Sequence, residues 1–140
     1  MKTKTLFRKL LLGVFLFCIS CDNSSSQNGN NKQTVQLNDL FAPAVKEFNR
    51  SLPAMIDEVT RLDLVSYTPG VLTYEATFLN VSREDVTTPE FKQNMLKQLT
   101  EGVKQQPLLR IFKENKTSFN FSYKEGGQQL YVLSVTPDMY

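Results

Sequence analysis

The sequence predicts an α+β domain in which two hairpins form one four-stranded antiparallel sheet with helices packed on a single face. Three observations lead to this prediction. Apolar residues recur at steps of three and four in some segments, they alternate with polar residues in four others, and the elements follow in the order α-β-β-α-α-β-β. Because helices commonly cover only one side of such a sheet, we expect a partner to bind at the uncovered face or at a sheet edge.

Three segments have helical periodicity. The first runs from Leu40 to Leu52, where Asn38 or Asp39 can cap its start, and it carries one apolar stripe of Phe41, Val45, Phe48 and Leu52. The second opens with Thr88 as N-cap and Pro89 at the first helical position. A shorter third helix is predicted from Leu108 to Glu114.

Four segments alternate with period two and pair as hairpins around turn residues. Residues 59–67 and 71–79 flank Thr68, Pro69 and Gly70, and residues 118–124 and 130–136 flank Glu125, Gly126 and Gly127. The alternation predicts Tyr74 and Tyr123 in the core. The last strand is expected to be buried on both faces, because apolar residues occupy both of its sides.

The N-terminus has the pattern of an export signal. Four basic residues precede an apolar run from Leu10 to Ile19, which is about half the length that a membrane-spanning helix needs. The stretch FCISCDNSSS then places the small residue Ser20 before Cys21. This segment resembles the lipobox of bacterial lipoproteins, although Cys18 stands where the lipobox usually has Leu.

The lipobox resemblance implies removal of residues 1–20 and lipidation of Cys21, which would anchor the protein to a membrane of the bacterial cell envelope. Residues 21–37 are then expected to form the lipidated cysteine and a flexible polar tether, and residues 38–140 a single domain. Which membrane carries the anchor stays open.

The net charge and the cysteine content of the mature chain exclude one class of partner and internal disulfide bonds. Removal of the signal takes 4 of the 16 basic residues and leaves 12 against 14 acidic ones, a net charge of −2. A mildly acidic domain lacks the basic patch that nucleic acid requires, so nucleic acid is not expected as a partner. With Cys18 removed and Cys21 acylated, no internal disulfide can form.

The residue types left in the mature chain limit catalysis to carboxylates. The chain has no His, and therefore no Ser/His/Asp or Cys/His nucleophile and no His-based zinc site. Acidic groups gather in the segment AMIDEVTRLD and again at Glu84 and Asp85. Because neighbouring residues of a strand point to opposite faces, these groups are interpreted as solvated side chains, and no metal, cofactor or catalytic residue is expected.

Candidate contacts to a partner come from two groups of side chains. Tyr offers a large, stiff contact area with a polar tip, and Tyr67 and Tyr140 are the tyrosines that alternation leaves outside the core. The cluster of Asp57, Glu58 and Arg61 is the second candidate group.

The runs LPAMIDEVTRLDLVS, LTYEATFLN and LYVLSVTPDMY resemble a group of small uncharacterised exported bacterial proteins over most of residues 52–140. That resemblance implies no established activity. Members of the group tend to carry a cysteine before the short helix and another near the C-terminus, where this chain has Gln105, Gln106 and Tyr140.

The sequence therefore predicts a non-enzymatic, membrane-anchored interaction or accessory module that binds a protein of the cell envelope. Two alternatives stay open at this point. One is an inhibitor or immunity-type protein directed against a hydrolase or toxin. The other is a small carboxylate enzyme or a carrier of apolar ligands, which would need a deep pocket between helices and sheet.

Overall fold

The structure is a computed structural model that describes the backbone of residues 33–140 and the side chains from Asp39 onward. The export signal, Cys21 and most of the expected tether lie outside the described residues. Within the described range, no helix is both long and apolar enough to cross a membrane.

Four α-helices and five β-strands make up the described chain. The helices are α1 (Gln33–Phe48), α2 (Arg83–Thr87), α3 (Pro89–Gln105) and α4 (Arg110–Glu114). The strands are β1 (Ala54–Met55), β2 (Thr60–Thr68), β3 (Val71–Phe78), β4 (Ser118–Glu125) and β5 (Gln128–Val135). Short 3₁₀ turns follow α1 and precede α4.

The prediction of a mixed α+β domain with one sheet is confirmed, but the predicted four antiparallel strands are wrong. The sheet has five strands in the order β1-β2-β3-β4-β5, and β3 runs parallel to β4 while every other neighbouring pair is antiparallel. The two-residue β1 is too short to show alternation. The connection from β3 to β4 carries three helices, and this crossover brings the two hairpins together in parallel.

The helix boundaries differ from prediction where the chain lacks a periodic apolar signal. Helix α1 begins at Gln33 and not at Leu40, so the predicted cap residues Asn38 and Asp39 lie inside it. Helix α2 was not predicted, because five residues are too few to show a stripe. The start of α3 is confirmed: Thr88 Oγ1 accepts a hydrogen bond from the Phe91 N–H at 3.1 Å.

The core lies between the helices and one face of the sheet. Phe41 of α1 stacks on Phe112 of α4 with ring centres 4.6 Å apart, and both rings contact Tyr67 of β2. On the same face, Phe78 of β3 meets Phe91 of α3 edge-on at 6.2 Å. Each fully buried ring contributes roughly 1.5–3 kcal/mol to the free energy of folding.

Two predictions about buried strand residues have different outcomes. Tyr74 and Tyr123 lie in the core, which confirms their prediction. The expectation that β5 is buried on both faces is wrong, because Val132 is 41% exposed. Val132 pairs with Ser122 across the sheet, so it points to the face that the helices leave uncovered.

Candidate functional site

The face of the sheet that points away from the helices, here called the open face, is the candidate site. One row of paired residues crosses it: Leu64 lies beside Glu75, Glu75 beside Ser122, and Ser122 beside Val132. The row spans three strand spacings, about 14 Å. Its two ends are apolar and exposed, with Leu64 at 44% and Val132 at 41%.

The charged side chains of the open face are paired with each other. Glu75 forms an ion pair with Lys124 of the neighbouring strand. Arg61 and Thr77 both donate hydrogen bonds to the carboxylate of Asp63. With two positive and two negative groups joined in this way, the centre of the face is neutral and its charges need no external partner.

A β-bulge in β2 decides which residues reach this face. The register shifts between Leu62 and Leu64, so that Leu64 pairs with Glu75 while Val65 pairs with Tyr74 on the helix side. Met55 of β1 lies beside Arg61 and is 49% exposed. The open face therefore combines exposed apolar side chains with self-paired polar groups.

The five residues singled out in the sequence fall at opposite ends of the sheet. Asp57, Glu58 and Arg61 lie at the start of β2. Tyr67 is six residues beyond Arg61 along the same strand, roughly 20 Å away. Tyr140 lies at the Tyr67 end, since its hydroxyl donates to the Thr117 carbonyl at 2.8 Å and the neighbouring Ser118 N–H donates to the Gly70 carbonyl.

Three of these five side chains have intramolecular roles. Tyr67 Oη accepts a hydrogen bond from the Gly70 N–H at 3.1 Å and closes the β2–β3 turn. Asp57 Oδ1 accepts from the Val59 and Thr60 N–H groups, both at 2.7 Å, and so orders the entry to β2. Tyr140 ties the C-terminus to the start of β4. Glu58 is exposed, and Arg61 is half-buried beside Asp63.

The phenol groups near Asp57 are held neutral. Burial raises the pKa of Tyr123, and electrostatic interactions with Tyr131 and Asp57 raise it further. Burial also raises the pKa of Tyr131, whose ring centre lies 5.4 Å from that of Tyr123. A phenol with a raised pKa stays protonated at neutral pH, and the protonated form cannot act as a general base and is a poor nucleophile, so this arrangement favours packing over catalysis.

The second acidic pair, Glu84 and Asp85, lies in the first turn of α2 and is exposed. A hydrogen bond from Ser82 holds the pKa of Glu84 below its usual value, which makes this carboxyl a weaker base. Among residues 39–140, no group of three or more acidic, His or Cys side chains is arranged to hold a metal ion.

Comparison with known proteins identifies the family of this chain. The family model described as "Domain of unknown function (DUF8479)" matches residues 36–132. The chain belongs to this family. No curated protein sequence matches it.

Two solved structures share the fold. One is a protein of Pseudomonas aeruginosa assigned as secreted, with a TM-score of 0.68 and 14% identity over 79% of this chain and 98% of that one. The other is the pilotin EpsS from the type 2 secretion system of Vibrio vulnificus, with a TM-score of 0.62 and 13% identity over 79% of this chain and 96% of that one. At these identities the likeness is one of fold.

The sequence did not point to the exposed apolar residues of the open face. Val132 stands in an apolar run, LYVLSV, that is typical of a fully buried strand. Leu64 follows Leu62 at a spacing of two, which in a regular strand would place both on one face. One signal in the sequence does point to this face: Thr73, Glu75 and Thr77 alternate with the buried residues of β3.

Proposed function

We propose that this protein is a membrane-anchored, non-enzymatic accessory module of the bacterial cell envelope that binds an envelope protein through the open face of its sheet. The observation that carries the proposal is the row from Leu64 to Val132. It has exposed apolar side chains at both ends and charges between them that are already paired. Such a surface can be covered by a protein without burying an unpaired charge.

The fold supports an accessory role. A pilotin of a secretion system and a protein assigned as secreted share it, and neither description names an enzymatic activity. We therefore propose a pilotin-like role for this protein, as a small domain that binds a component of an envelope assembly. Phe41, Phe112 and Phe119 are fully buried between the helices and the sheet, where a carrier of apolar ligands would hold its ligand.

The sequence supplies the anchor of the proposed module. We propose that Cys21 carries the lipid and that the segment between Cys21 and α1 lets the open face reach its partner. Arg61 lies on the open face, and Asp57 and Glu58 lie at the same end of β2. Tyr67 and Tyr140 lie at the other end and contact core rings on the helix side of the sheet. Of the five residues, we therefore propose Arg61, Asp57 and Glu58 as the margin of the contact.

Photo-crosslinking in intact cells tests this function. A photoreactive residue is placed at Leu64 or at Val132, and at Lys97 on the exposed side of α3 as the matched control. We expect one specific protein adduct from the two open-face positions, none from Lys97, and loss of the adduct in Cys21→Ala. Adducts that are equal at all three positions, or that persist unchanged in Cys21→Ala, would contradict the proposal.

Further measurements distinguish the alternative functions, which are a carrier, an enzyme and an inhibitor. Recovery of a lipid or small molecule in place of a protein would support the carrier. Turnover of an envelope substrate by the purified protein, lost on replacement of Asp57 or Glu58, would support an enzyme. Tight stoichiometric inhibition of a crosslinked hydrolase would support an inhibitor.

A further inference from the structure

Strand β5 ends the sheet without a strand beside it. It has eight residues, none of them charged and none of them proline. Within the described part of the chain, every backbone hydrogen bond of β5 goes to β4, and no side chain bonds to its outer edge. Alternate N–H and C=O groups of an edge strand point outward and can pair with another strand.

The opposite edge of the sheet is closed in three ways. Strand β1 pairs with Arg61 and Leu62. The Ile56 and Asp57 N–H groups both donate to the Thr60 carbonyl. Further along β2, the Asn49 amide donates to the Val65 carbonyl at 2.6 Å and accepts from the Val65 N–H at 2.8 Å. Natural proteins usually protect sheet edges with charges, proline, bulges or covering elements. Strand β5 has a bulge at Leu130, where its register with β4 shifts, but residues 131–135 pair regularly and carry none of these protections.

The side chains beside β5 indicate which residues a segment that pairs with this strand would need. Val132 is exposed on the open face. The next residue back, Tyr131, points to the helix side, where Lys92 of α3 lies with Nζ 5.6 Å from the centre of the tyrosine ring. Lys92 forms no ion pair with any described residue. Because adjacent residues of a strand point to opposite faces, one apolar residue and one acidic neighbour would satisfy both sites.

We propose that the outer edge of β5 binds an extended segment of a partner protein as a sixth strand, with an apolar side chain on Val132 and a carboxylate on Lys92. This rests on the proposed function and specifies where and how the partner is held. A second copy of the chain fits less well, because its own β5, QQLYVLSV, has no carboxylate to offer Lys92.

Selection from a phage-displayed library of random twelve-residue peptides against the purified mature protein tests the proposal. We expect enriched peptides to share an adjacent apolar and acidic pair, and to slow amide hydrogen exchange in residues 128–135. Val132→Lys and Lys92→Glu should each weaken binding about tenfold, since they remove an apolar contact and reverse a charge.

Two matched controls separate the edge from the rest of the surface. Leu64→Lys makes the same change at a similarly exposed apolar residue of the open face, and Lys97→Glu reverses an exposed charge on α3. Both should change peptide affinity less than twofold. Circular dichroism and thermal unfolding show that each variant is folded before its affinity is compared.

Three results would overturn the edge site. The first is that no peptide is enriched over bare support. The second is that a bound peptide slows amide exchange in another element and not in β5. The third is that amide exchange in β5 slows when protein concentration alone is raised, which would make a second copy the occupant. The proposed function is judged separately by the crosslinks in cells. An adduct at Leu64 that survives Val132→Lys would leave that function standing while the edge site fails.

Discussion

At the outer edge of β2, the side chain of Asn49 makes the hydrogen bonds that a neighbouring strand would make. Its side-chain amide forms both a donor and an acceptor bond with the backbone of Val65, as a neighbouring strand would, and it also donates to the Val45 carbonyl at 2.9 Å. Val65 itself is buried at 2% exposure. Loss of the amide would therefore leave a backbone N–H and C=O unpaired next to the core, where no apolar group can replace them.

We expect Asn49→Ala to lower the free energy of unfolding by about 1–3 kcal/mol, the cost of leaving partly buried polar groups unpaired. Urea unfolding followed by circular dichroism measures it. The matched control is Asn115→Ala, because Asn115 makes one exposed side-chain bond, to the Ile111 carbonyl at 2.8 Å. The control should change stability by about 0.5 kcal/mol or less. Equal effects of the two substitutions would show that Asn49 does not hold the edge.

Single residues were predictable from the sequence where a repeating pattern identified them. Tyr74 and Tyr123 were placed in the core by alternation, and Thr88 at a helix start by the proline that follows it. Asn49 lies within the helix predicted from Leu40 to Leu52 but outside its apolar stripe. Its actual role depends on a contact sixteen residues away in the chain, which no local pattern encodes.

Among the elements, β2 shows how one extra residue changes a surface. Regular alternation groups Thr60, Leu62 and Leu64 on one face of the strand and Asp63 and Val65 on the other. The bulge between Leu62 and Leu64 inserts a residue, so that Leu62 and Val65 both face the helices while Asp63 and Leu64 turn outward. This shift places an exposed leucine and a paired aspartate on the open face.

Substitution of the two adjacent residues tests the bulge. We expect Val65→Ala to cost about 2 kcal/mol of stability, because it removes buried methyl groups and leaves a cavity. Leu64→Ala should cost about 0.5 kcal/mol or less, although it removes a larger side chain, because Leu64 is exposed. Thermal unfolding of both variants measures the difference. The reverse order of the two effects would mean that β2 continues without a bulge.

Elements with a strong signal at both ends were predictable from the sequence, and short ones were not. The two hairpins lie within a residue or two of their predicted positions, because Gly70, Gly126 and Gly127 adopt positive φ angles at their turns. The two-residue β1 and the five-residue α2 are too short for a repeating pattern to reveal them. The bulge and the parallel pairing of β3 with β4 arise from contacts distant in sequence.

At the scale of the whole molecule, one aromatic layer joins the two hairpins. Tyr74 of β3 stacks on Phe121 of β4 at 5.0 Å, and Phe78 stacks on Tyr123 at 5.0 Å, so the parallel seam between the hairpins is packed with rings. Both tyrosines are buried. Their burial is thus a property of the assembled fold, and it is lost only when the hairpins separate.

This layer makes the stability of the fold depend on alkaline pH. Burial raises the pKa of Tyr74 and of Tyr123 above the usual 10.0. Above pH 10 the unfolded chain releases these phenol protons while the folded protein keeps them, so the unfolded state binds fewer protons and is favoured as pH rises. The stabilisation that the neutral phenols provide is therefore complete below pH 10 and is lost as pH rises towards the folded pKa values. Each buried tyrosine should lower the free energy of unfolding by about 1.4 kcal/mol per pH unit in that window.

The double variant Tyr74→Phe/Tyr123→Phe isolates this contribution, because phenylalanine keeps the rings but has no proton to release. Urea unfolding at intervals from pH 7 to 11 compares it with the wild-type protein, and the pH 7 measurement supplies the control, since the two substituted phenols are neutral there. The two proteins share every other titrating group, so the difference between the curves reports the two phenols. We expect this difference to stay constant up to about pH 9.5 and then to shift in favour of the variant by about 3 kcal/mol at pH 11. Parallel curves throughout would mean that the two phenols reach solvent in the folded protein, and that the ring layer does not seal the seam between β3 and β4.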